Sequence, residues 1–150
     1  MLNLLRNALA LLGGVAIGGV VNMALITLSP AVIAPPAGVD VNDAASLSAS
    51  IHLFAPRHFL MPFLAHALGT LAGALAANLI AATSYKVPMA YVVGAIFLCG
   101  GVVASFMIPA PGWFIALDLV AAYLPMAWLA IRIGNRVTRT NAGAQQLPEA

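Results

Sequence analysis

Charge is what this chain has least of: 7% of its 150 residues are Asp, Glu, Lys or Arg, against roughly 25% in ordinary soluble domains. Between Phe59 and Ile131 only two charged side chains occur, Lys86 and Asp118. With a formal net charge of +2, there is no basic patch of the kind that holds nucleic acid, and none is expected as a partner. The one cysteine, Cys99, excludes an intrachain disulfide framework and a CxxC redox pair. Set in an apolar run, it reads as a small packing residue. There is no HExxH, no nucleophile elbow and no pair of neighbouring carboxylates. An enzymatic site is therefore the less favoured reading, and no cofactor is expected. A metal site is not expected either. His58 and His66 share a helix face but fall roughly 12 Å apart along it, too far to chelate one ion.

What the chain has instead is apolar surface. Hydrophobic residues make up 63% of it, more than a soluble fold of this length can hide, whereas a bilayer does not require it to be hidden. The sequence predicts an all-α integral membrane protein, with the lipid bilayer as its first partner. Four segments are long enough to cross: 4–28, 59–82, 87–108 and 113–133, each close to or above the roughly 20 residues that a bilayer core requires. Ser29-Pro30, the stretch Thr83 to Lys86, and Pro109-Ala110-Pro111-Gly112 punctuate them. The last two connections are short, so an antiparallel four-helix bundle is expected. It forms one domain over 1–137, with 138–150 as a disordered cytoplasmic tail. The first segment is too long for the apolar core of a cleaved signal peptide and reads as a retained span.

Orientation comes from the basic residues. Four spans place both termini on one side, which then holds Arg6, Lys86, Arg132, Arg136 and Arg139, leaving Arg57 on the other. The positive-inside rule makes the richer side cytoplasmic, in a bacterial inner membrane. The long connection between the first two spans then faces outward. Within it Asn42 or Asp43 is a candidate N-cap, and Leu47, Ile51 and Phe54 make an apolar stripe, for a short helix that lies on the membrane or covers the bundle.

Small residues mark the faces on which helices meet. Gly14 and Gly18, Gly69 and Gly73, and Gly94 and Gly101 lie on stripes that let backbones approach closely. Pro125, counted with these as a helix-packing position, removes a backbone donor near the middle of the fourth span and is expected to interrupt it. A homo-oligomer or a larger membrane complex is compatible with these faces.

The polar residues carry the functional question. Counting about 1.5 Å per residue, Asn22, His66 and Asp118 lie roughly 7–11 Å inside the outer boundary, with Ser105 somewhat shallower. A carboxylate in hydrocarbon is costly without a partner, so Asp118 with His66 is expected to form an outward-facing polar site. Such a coupled pair can load or release a proton. The leading expectation is a transport or channel-type protein or subunit. The alternative is a non-catalytic scaffold or accessory subunit, in which Asp118, His66, Asn22 and Ser105 only fix helix packing, each contact contributing about 0.6–2 kcal/mol.

In length and span count the chain resembles many short four-span bacterial inner-membrane proteins, without a match to a named family. It lacks the CxxC of quinone-linked thiol oxidoreductases of similar size. Its first helix also lacks the glutamate that small multidrug exporters use.

Overall fold

The computed structural model describes residues 1–144, the side chains of 1–140 among them; the remainder of the expected tail lies outside. The described residues form helices and no strand. Four helical stretches are long and apolar enough to cross a membrane: Leu2–Val32, Pro56–Ile80, Thr83–Met107 and Gly112–Thr140.

Helix α1 (Leu2–Val32) runs past the expected stop at Ser29-Pro30. A proline in the last turn costs one hydrogen bond there, and only two further residues have to follow it. The helix ends where Ile33 turns extended, and the ring of Pro35 then keeps Ala34 out of the helical region. Its buried residues are Ala10, Gly14 and Gly18, a single line at every fourth position. Everything else on α1 faces outward or sideways, as suits a helix whose apolar bulk needs no protein cover.

Helix α3 (Leu60–Ile80) is the axis of the molecule, packed against α1, α4 (Lys86–Met107) and α6 (Leu124–Ala144). Glycine permits the closest of these contacts. Gly14 lies against the carbonyl of Gly73, and Gly18 against that of Gly69, so that a Cβ at any of the four would collide with backbone. Gly94 of α4 makes room for the Ala127 methyl of α6. Around them Ala74, Ala77, Ala90, Val93 and Ala130 close a core of small side chains.

Polar residues stitch the end that carries most of the basic side chains. Arg6 Nε donates to the Ile80 carbonyl at 2.6 Å, and Asn7 Oδ1 accepts from the Ala82 N–H at 3.0 Å. Both satisfy backbone groups freed where α3 ends. Buried Asn78 donates to the Lys86 carbonyl, and Lys86 Nζ reaches the Thr138 hydroxyl. Arg132 sits 4.4 Å from the ring centre of Trp128.

The fourth span is interrupted, as expected beside Pro125, into α5 (Gly112–Ala121) and α6, separated at Ala122-Tyr123; against expectation, α6 reaches Ala144, into the stretch expected as disordered tail. Pro125 lies in the first turn of α6, just after this break, and is exposed. Cys99 is exposed rather than packed inside.

Between α1 and α3, Asp43 caps the short helix α2 (Ala44–Ser50) by accepting from the Ser46 N–H at 2.8 Å. Short 3₁₀ turns at Ile51–Leu53 and Pro56–Phe59 lead into α3. The stripe of Leu47, Ile51 and Phe54 turns onto the bundle end, where it roofs a cavity.

Candidate functional site

Helices α3 and α5 bring His66 and Asp118 into contact. The imidazole Nδ1 lies 2.9 Å from each oxygen of the Asp118 carboxylate. Asp118 is 4% exposed, and its Oδ2 accepts a second hydrogen bond, from the Tyr123 hydroxyl at 2.9 Å. With the carboxylate ionised, both its oxygens only accept, and the hydrogen between the two groups is the one on Nδ1. The other ring nitrogen, Nε2, has no hydrogen-bond partner among the described residues. The Tyr123 and His66 rings stack with centres 5.8 Å apart, which holds the imidazole flat against the break.

Tyr123 is the residue that the sequence reading missed. In an unbroken helix a residue five places on points about 140° away from Asp118. The break at Ala122-Tyr123 removes that offset: Ala122 N–H still bonds the Asp118 carbonyl, while Ala127 N–H takes the Tyr123 carbonyl to open the next helix. Gly101 of α4 supplies the space, because a Cβ there would strike the phenol ring and its hydroxyl. The proline two residues after an aromatic was the available signal.

The pair lines a cavity of about 390 Å³ at the end of the bundle where α1 and α4 finish and α3 and α5 begin. Its wall is mainly apolar. Phe59 and Phe114, with ring centres 4.8 Å apart, and Phe54 give it an aromatic side. His58 also lines it and is 9% exposed, its Nδ1 accepting from the Ala55 N–H. No lysine or arginine lines it among the described residues.

The other expected site residues are placed differently. Asn22 makes no side-chain hydrogen bond; its Cβ abuts Gly69, and it lines a second cavity of about 260 Å³ between α1 and α4. Ser105 lines the main cavity, but its hydroxyl is engaged by the Val102 carbonyl one turn back at 2.7 Å. Met23, His66, Gly101 and Ala104 line both cavities, so the imidazole stands in the wall between them. Among the described residues no three His, Cys, Asp or Glu side chains cluster as metal ligands.

No protein-family model, curated protein or solved structure matches this chain.

Proposed function

We propose that this is a small multi-pass membrane protein of transport or channel type, or a subunit of one, whose outward-facing site is the His66–Asp118 pair. The observation that carries the reading is a buried carboxylate, held by an imidazole and a phenol, in the wall of a cavity large enough for a small molecule. Such a cavity is what a transport site needs and what helix packing alone does not. The four long helices form an antiparallel bundle across the bilayer. Positions on α1 rise as their partners on α3 fall, Gly14 with Gly73 and Gly18 with Gly69, which supports that order. Both termini are cytoplasmic in a bacterial inner membrane, a reading that rests on Arg6, Lys86, Arg132, Arg136 and Arg139 falling at one end and Arg57 at the other.

A scaffold reading is favoured by one fact, that both Asp118 oxygens are already paired. The two readings part in sealed vesicles that contain a pH-sensitive dye and receive an acid pulse outside. A transport site gives faster lumenal acidification than protein-free vesicles, lost in Asp118→Asn while the melting temperature holds. Equal rates in all three samples favour the scaffold.

A further inference from the structure

We infer that the main cavity binds an apolar amine in its ammonium form, the N–H of the ligand donating to His66 Nε2. The inference rests on the reading of the cavity as an open site and names its ligand class.

The argument is one of charge and hydrogen-bond polarity. The state assigned to the 2.9 Å contact is ionised Asp118 with neutral His66: in that state Nδ1 donates to the carboxylate, Nε2 presents a lone pair, and the pair carries one negative charge. Among the described residues no lysine or arginine on the cavity wall balances it. In a weakly screened, largely apolar cavity an uncompensated anion favours a cation over a neutral ligand, and both over an anion. The aromatic side formed by Phe54, Phe59 and Phe114 adds ring faces that attract a cation carrying apolar groups. Size agrees, since roughly 300–1,000 Å³ is the usual range of small-molecule sites.

The neighbours of His66 supply nothing that reverses this sign. From α5 comes Asp118; from the break before α6, the Tyr123 hydroxyl, spent on that carboxylate. From α1 comes uncharged Asn22, and from α4 Gly101, Ala104 and Ser105. His58 remains, before α3. Its Nδ1 is held on the Ala55 backbone, 2.9 Å from the amide nitrogen and 3.1 Å from the carbonyl, and in its neutral form the ring adds no charge. A proton on His66 would neutralise the pair and occupy the same lone pair. Proton and ammonium therefore compete for one position.

The test uses the full chain in lipid nanodiscs and four naphthalene probes of similar size: a dimethylaminomethyl, a trimethylammoniomethyl, a neopentyl and a carboxymethyl derivative. Binding is measured by calorimetry against empty nanodiscs. The tertiary amine should bind at least tenfold tighter than the neopentyl compound, the quaternary cation less tightly than the amine for want of an N–H, and the carboxylate weakest. Lowering the pH should weaken the amine and leave the neopentyl compound unchanged. Asp118→Asn, and independently His66→Gln, should bring the amine down to the affinity of the neopentyl compound in protein that melts normally. Tightest binding of the carboxylate, or undiminished amine binding in both variants, overturns the ligand class while the cavity stands. Failure of all four probes, the neopentyl compound included, overturns the open cavity itself and the ligand class with it.

Discussion

His66 Nδ1 lies 2.9 Å from both carboxylate oxygens of Asp118, 52 positions away in the chain. The same carboxylate accepts from the Tyr123 hydroxyl, so both its oxygens have partners within the bundle. What this leaves over is the imidazole Nε2, and the cavity on whose wall it stands gives that nitrogen something to do.

The pair should behave as a unit in stability. Asp118→Ala and His66→Ala each leave one polar partner buried and unpaired, a cost of about 1–3 kcal/mol. The double variant should be less damaging than the sum of the two, by about 0.5 kcal/mol or more. Thermal melting of the four proteins in one detergent measures this. Strict additivity would show that the contact contributes nothing of its own.

Tyr123→Phe keeps the ring that stacks on His66 and removes only the hydroxyl that serves Asp118. A loss of about 1 kcal/mol is expected. Gly101→Ala should be worse, because its methyl group would enter the space of the phenol ring, whereas Gly100→Ala meets nothing within 4 Å. Melting curves should rank Gly100→Ala at or above the wild type and Gly101→Ala clearly below it.

Replacing Gly73 with Leu should open the α1–α3 contact, since a side chain there would meet the Gly14 carbonyl and the Gly18 Cα. Gly19→Leu is the control, since a Cβ there meets nothing within 4 Å. A Gly73→Leu protein that melts like its Gly19→Leu counterpart would mean that the two helices do not meet along this line.

Topology can be read with cysteines in a Cys99→Ala background. Ala49→Cys, on the connection between α1 and α3, should react with an impermeant thiol reagent applied to intact cells. Thr140→Cys, near the end of α6, should react only after the cells are opened. The reverse pattern would invert the orientation drawn from the arginines.

Much of this was legible in the sequence because hydrophobic length and small-residue spacing are local signals. Gly14, Gly18, Gly69 and Gly73 announce the α1–α3 seam by spacing alone. Depth counting put His66 and Asp118 at one level because helix rise is constant. It put Asn22 there too, yet depth says nothing of azimuth, and Asn22 faces the second cavity from across Gly69. Tyr123 was hidden because helical periodicity fails at a break, where the relation between residues five apart is set by tertiary packing on Gly101. The hydroxyl of Ser105 was spent locally, on a carbonyl that any α-helical serine can reach. The stripe of Leu47, Ile51 and Phe54 was visible as a stripe, but only the packed chain shows that it roofs the cavity.

The central claim is that water reaches the cavity beside Asp118 from outside. Ala104 and Val103 are adjacent on α4, at nearly one depth. Ala104 lines both cavities, whereas Val103 is 58% exposed on the outer surface of the bundle. In a Cys99→Ala background, the decisive measurement is the rate at which Ala104→Cys and Val103→Cys react with a charged, membrane-impermeant thiosulfonate added outside. Thiolate forms only where water reaches, so the account predicts rapid modification of Ala104→Cys and none of Val103→Cys. An Ala104→Cys protein as unreactive as its neighbour would mean a dry contact, with His66 and Asp118 reduced to holding helices together.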